Sequence, residues 1–173
     1  MPTPIEPATM EDRLSQMLTA MAPIVKKAND LNGGGGYENW TIVQYLLNLT
    51  SMIDYEYQRE FQVDRMRVDI AFNMTNQSPQ TPLILTEWKC NPDATKLSTG
   101  CGQDIDKFTD VLRELPAGQV LPLPLVIGIG PPGANFPDYK ATNIGDVNMK
   151  LYTSTRDTWE TRGVLDKTWY SRI

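Results

Sequence analysis

Apolar residues recur at spacings of three and four early in the chain, at Met10, Leu14, Met17, Leu18, Met21, Ile24 and Val25. This period matches the helical repeat and predicts one amphipathic helix that follows a Pro-rich leader and ends near Lys26-Lys27. The glycine run Gly33 to Gly36 then breaks the pattern. It lacks the Gly-Lys-Ser/Thr ending of a phosphate-binding loop and reads as a connector. A second helix is expected from Tyr37 to Thr50, with Trp40, Val43, Leu46 and Leu47 inward and Glu38 in its first turn.

From Tyr57 the period falls to two. Phe61, Val63, Met66, Val68, Ile70 and Phe72 predict two strands turning at Asp64-Arg65, and Leu83 to Cys90 predicts a third joined to them by a hairpin. Gln103 to Leu115 places Ile105, Phe108, Leu112 and Leu115 on one face of a helix that Pro116 and Gly118 stop. Leu121 to Ile129 reads as a fully buried strand closing on Gly130-Pro131-Pro132-Gly133, and Met149 to Thr153 as an alternating one. Trp159 and Trp169 mark the last stretch. Helix, three strands, helix, strand predicts an α/β sandwich with a central mixed sheet flanked by helices. Residues 1–32 would be leader and N-terminal helix, 37–155 the core, and 156–173 a tail packing on that core.

The length of 173 residues suits one domain. Sixteen Lys and Arg against 21 Asp and Glu leave a net charge of −5, which excludes coating nucleic acid by charge alone. There is no histidine, so histidine general bases, Ser-His-Asp or Cys-His catalysis and histidine-ligated zinc are also excluded. Chemistry must rest on carboxylates, lysines, hydroxyls or the thiols. Cys90 and Cys101 lack Cys-x-x-Cys spacing and read as free thiols. Met1 to Met10 has no apolar run of signal-peptide length, and no segment approaches the ~18 apolar residues of a membrane span. The expectation is an intracellular protein, cytoplasmic or nuclear, without a membrane partner.

The chemically informative residues are Asp69, in Arg67-Val68-Asp69-Ile70, and the pair in Thr86-Glu87-Trp88-Lys89. Residues two apart on a strand share a face, so Glu87 and Lys89 project together while Trp88 and Leu85 take other directions. If the Asp69 strand lies alongside, two carboxylates meet beside an ammonium. Oxygen donors of this kind suit Mg²⁺, and a neighbouring lysine can orient or deprotonate a water. Such a site could promote attack on a phosphodiester without histidine.

At these residues the chain resembles the PD-(D/E)XK nuclease superfamily, whose signature is an acidic residue on one strand and Glu-x-Lys or Asp-x-Lys on the next. Asp69 matches the first half and Glu87-Trp88-Lys89 the second. Glu38 matches an acidic residue on the preceding helix, and Gln103 a glutamine near the start of the following one. The motif's proline is replaced by Val68. The resemblance spans about Tyr37 to Ile129. It implies a restriction-endonuclease-like fold and a metal-dependent nuclease acting on DNA ahead of RNA. Asp69 and Glu87 would hold Mg²⁺ or Mn²⁺, Lys89 would position the hydrolytic water, and Glu38 and Gln103 would assist.

Plainer roles stand beside these. Glu87 and Lys89 could be a solvated pair, Asp69 could pair with Arg65 or Arg67, and Glu60 reads as surface charge ahead of ligand. Lys96, Lys107 and Arg113 could contact phosphates or form a wet helix face. Lys26, Lys27, Lys89, Lys96 and Lys107 could cluster as a local basic patch, and Trp88 reads as core. The competing function is a catalytically inactive nuclease-like fold that binds a protein partner, or a second copy as a homodimer, through the N-terminal helix and its adaptable methionines.

Overall fold

The computed structural model describes residues 1–31, 37–51, 53–114, 122–135 and 139–163. Gly33–Gly36, the helix stop at Leu115 to Gly118, the strand start at Leu121 and Trp169 lie outside the described residues. The elements run α1 (Pro7–Ala20), α2 (Ala22–Leu31), α3 (Glu38–Thr50), β1 (Tyr57–Val63), β2 (Met66–Phe72), β3 (Ile84–Cys90), α4 (Ala94–Arg113), β4 (Leu123–Gly130), β5 (Tyr139–Asn143), β6 (Lys150–Ser154) and α5 (Arg156–Thr161).

The strands form one six-stranded mixed sheet in the order β1-β2-β3-β4-β6-β5. Among the described strands of the sheet only β3 and β4 run parallel to each other as neighbours, and α4 supplies the crossover a parallel pair requires. The sheet is covered on both sides. Ile70, Phe72, Ile84, Trp88, Cys90 and Ile127 pack with residues of α1, α2 and α3, whereas Leu85, Val126 and Tyr152 pack with α4 and Trp159 of α5. The sequence therefore builds an α/β sandwich with helices on both faces of a mixed sheet.

Several local expectations change. The first helix is two, parted at Met21, because Pro23 has no N–H to give and its ring opposes a continuous helix. Met10 and Met17 are core residues and not an adaptable surface. On α3 the inward residues are Ile42, Tyr45, Leu46 and Leu49; Val43 and Leu47 face outward. α4 begins nine residues before Gln103, at Ala94, with the Asp93 side chain accepting the Lys96 N–H at 2.9 Å as its cap. β6 is buried along nearly its whole length because it is an interior strand between β4 and β5. β5 is a short polar edge strand with no apolar run to signal it in the sequence. The β1–β2 hairpin turns at Asp64-Arg65 as expected, with Asp64 at φ 51°.

Before α1 the chain runs beside Tyr55 through a parallel bridge at Thr3. Asn73, at φ 61°, fixes it there. Its Oδ1 accepts the Ile5 N–H and its Nδ2 donates to the carbonyls of Ile5 and Pro82, each at 2.8 Å. No helix among the described residues is long and apolar enough to cross a membrane.

Candidate active site at the parting of two strands

The β2–β3 ladder runs from Phe72↔Ile84 to Ile70↔Thr86 and goes no further, while β3 stays paired with β4 as far as Cys90↔Ile129. From Glu87 onward β3 therefore lacks a backbone partner on its β2 side. Asp69 takes that role, its Oδ2 accepting the Trp88 N–H at 2.8 Å. The residues around Asp69 also change sides, since Met66 and Val68 pack toward α4 whereas Ile70 and Phe72 pack toward α1–α3. Opposite this point on β1, Glu60 adopts φ 53°, a left-handed conformation that reorients an extended strand.

Alternation along β3 sends Trp88 toward α3 and Glu87 and Lys89 toward α4. Leu85, expected to point elsewhere, shares their face, as its position two residues before Glu87 requires. Trp88 is fully buried core, and its indole N–H is satisfied by Thr86 Oγ1 at 3.0 Å. Glu87 is 4% and Asp104 7% exposed, whereas the lysine side chains beside them retain 33% (Lys89) and 36% (Lys107). Carboxylates thus line the floor and ammonium groups lie nearer solvent.

Two residues of α4 complete the group: Asp104, which no motif singles out, and Lys107, expected to contact phosphate or to form a wet helix face. The Lys89 ammonium lies 3.3 Å from Asp104 Oδ2, and the Lys107 ammonium donates to Glu87 Oε1 and, at 2.8 Å, to the Arg67 carbonyl. Asp104 Oδ2 is buried and, despite that ion pair, lacks an aligned hydrogen-bond donor. Asp104 was legible as a carboxylate inside the buried stripe Cys101, Ile105, Phe108 and Leu112. Gln103, one residue earlier, is exposed and sits mid-helix, so α4 brings Asp104 and not Gln103 toward Lys89.

The helix is held close by small residues. A methyl group on Gly100 would come within 3.2 Å of Lys89 Cδ, and one on Gly128 within 3.1 Å of Cys101 Sγ.

Electrostatically these residues act as one group. Burial raises the Glu87 carboxyl well above its ordinary range, with Asp69 and Asp104 reinforcing the shift and Lys107 opposing it. Burial also raises Asp104, against the pull of Lys89 and Lys107. Burial pushes Glu38 up to about 7, opposed by Lys89 and reinforced by Asp69 and Asp104, although Glu38 comes from α3 in the opposite layer. For Lys89, burial favours the neutral amine, but Asp104, Glu38 and Asp69 together outweigh it and raise its pKa. Lys89 is therefore held as a cation, suited to attracting an anion and not to acting as a neutral base.

The plainer alternatives sort differently. Arg67 pairs with Glu60 at 2.9 Å and Arg65 with Glu114 at 2.6 Å, so neither is the partner of Asp69. Glu60 is surface charge, and Lys26 pairs with Asp30 on α2 at 2.6 Å. Lys96 is exposed, and the Arg113 side chain donates to the Arg162 carbonyl. Cys90 and Cys101 are buried free thiols.

Asp69, Glu87 and Asp104 are the oxygen donors available to a hard cation such as Mg²⁺ or Mn²⁺. Among the described residues, no three acidic or thiol side chains close round a single point as they lie. The donor chemistry nevertheless fits a cation, since burial raises both carboxyls and Asp104 Oδ2 faces an ammonium at 3.3 Å without an aligned hydrogen bond. Comparison with family models, with curated proteins and with solved structures found no match to this chain.

Proposed function

We propose that the chain is a metal-dependent nuclease of the PD-(D/E)XK type, with a restriction-endonuclease-like fold, that hydrolyses phosphodiester bonds of DNA ahead of RNA. The observation that carries this reading is the meeting of Asp69, Glu87 and Lys89 with Asp104 and Lys107 of α4 at one parting of strands. A Mg²⁺ or Mn²⁺ ion held by Asp69 and Glu87 would supply charge neutralisation at the phosphate and a more acidic water. Lys89, kept positive by Asp104, binds the scissile phosphate and stabilises the charge that builds on it. Glu38, with a pKa near neutrality and within the field of Lys89, holds or releases a proton for the site. Gln103 is left, at most, an outer contact to substrate.

The test is cleavage of single- and double-stranded DNA and RNA with and without Mg²⁺ or Mn²⁺, alongside calorimetric titration of Mn²⁺ into wild type and Glu87→Ala. The expected result is metal-dependent cleavage, with binding lost in Glu87→Ala. Metal binding without cleavage of any of these substrates would reject the reading.

A second reading, a catalytically inactive fold that binds a protein, draws on one observation: Leu47 is 61% and Val43 38% exposed, one helical turn apart on α3. Light scattering and pull-down with Leu47→Glu test it, and unchanged association in that variant would remove it.

A further inference from the structure

We propose that Lys107 is an internal counter-ion that occupies the cation position of this site and must leave Glu87 before a divalent metal is bound. The inference rests on the metal-dependent reading above and concerns how the same site is loaded. Its basis is geometric. The Lys107 ammonium reaches from α4 to two separate partners, the carboxylate of Glu87 on β3 and the carbonyl of Arg67 on β2. It thus bridges the two strands at the end where they part.

Glu87 is 4% exposed, and among the described residues it is Lys107 that donates to its carboxylate. A buried carboxylate is costly unless a cation or proton accompanies it, and the lysine supplies that cation. A metal ion on Glu87 would set a second positive charge against the same carboxylate and repel the ammonium at close range, so the two compete for it. Lys107 can withdraw because its stem is long and its side chain keeps 36% of its surface in solvent. Lys89 has a different partner, Asp104, and remains in place when Lys107 moves. The site then keeps one fixed ammonium and one exchangeable one.

The exchange has a consequence for substrate. Once released from Glu87, the Lys107 ammonium is at the solvent side of the site and free to meet a phosphate, so metal and polyanion each favour the other's binding. Reciprocal coupling of this kind is required whenever two ligands shift the same two-state element.

The experiment is calorimetric titration of Mn²⁺ into wild type, Lys107→Met, Lys107→Arg and Arg67→Met, with apo and Mn²⁺-saturated melting temperatures for each. Lys107→Met removes the competing charge and keeps the stem. Arg67→Met removes one nearby positive charge but leaves the Lys107–Glu87 pair, so it reports the effect of net charge alone. The expected result is Mn²⁺ binding tighter by about tenfold in Lys107→Met, against less than about threefold in Arg67→Met and little change in Lys107→Arg. Lys107→Met should also melt below wild type without metal and gain more on Mn²⁺ saturation.

Equal tightening in Lys107→Met and Arg67→Met, or weaker binding in Lys107→Met, would overturn the counter-ion role while leaving the nuclease reading intact. Binding in Lys107→Met but not in wild type would support the role in its strongest form. Absence of Mn²⁺ binding in all four folded proteins would overturn both. If Lys107→Met does not fold, Lys107→Gln replaces it under the same criteria.

Discussion

On one face of β3, Thr86 and Trp88 satisfy each other: the indole N–H donates to Thr86 Oγ1, and that hydroxyl donates to the Ile70 carbonyl at 3.1 Å. Trp88 stacks at a tilt against Tyr45, with ring centroids 5.4 Å apart. On the other face, one residue along in either direction, Glu87 and Lys89 are matched by two α4 side chains, and an Asp104 oxygen lacks a hydrogen bond. The first face is closed and apolar, with its polar atoms paired. The second is a set of charges balanced only by one another. The two-residue period of a strand allows both on the same seven residues, and each can be perturbed almost independently of the other.

Trp88→Ala tests that independence with the largest expected effect. It removes a fully buried indole and should cost about 3–5 kcal/mol of folding stability, measured by denaturant unfolding. A loss below about 1 kcal/mol would mean that the closed face is not the anchor of the sheet. Lys89→Ala is the counterpart on the charged face. Cleavage is expected to fall by roughly 10²–10³-fold with a loss of folding stability smaller than that of Trp88→Ala, since a transition-state charge contact and the partner of Asp104 are lost but no core is opened. A stability loss as large as that of Trp88→Ala would show that the two faces are not separable.

Glu38 tests whether the opposite layer belongs to the charged group. Its pKa is about 7 in the fold against an ordinary 4.5, so the folded state holds the proton more tightly than the unfolded one. Stability from this group is therefore greatest below pH 4.5 and is lost as the pH rises toward about 7. In chelator, Glu38→Gln should flatten that fall and be more stable than wild type at pH 8. An unchanged slope would separate Glu38 from the site. Gly100→Ala has the smallest expected effect. Helix propensity gains about 0.5–1 kcal/mol, while the new methyl presses on the flexible Lys89 stem, so activity should drop by less than about tenfold with stability level or slightly raised.

What could be read from the sequence divides along the same line as the two faces. Strong apolar periodicity located β2, β3, β4 and the lower half of α4, and Glu87-Trp88-Lys89 announced its own division between charge and core. The upper half of α4 was hidden because Thr, Ser and two glycines give it little helical signal, yet Gly100 is the residue that makes room for Lys89. The motif points to Gln103, whereas helical phase alone places Asp104 in the buried stripe. For Lys107 the sequence offers a phosphate contact or a wet helix face, and neither is a pairing with Glu87. Its partner lies 20 residues away on another element, and pairings of that kind depend on tertiary register that no local pattern contains.

The Asn73 clamp adds a kinetic dimension. Its bonds to Ile5 join positions 68 residues apart, and the chain between them contains α1, α2, α3, β1 and β2. Closing so long a loop yields little until the intervening elements are in place, so the segment before α1 is expected to dock late in folding. Asn73→Ala should then speed unfolding while leaving the refolding rate nearly unchanged in stopped-flow measurements, and an equal slowing of refolding would place the clamp in the nucleus instead. A late-closing clamp also makes this segment the first to release under stress, so the closed apolar face would open from its edge while the charged cleft between β2 and β3 is still assembled.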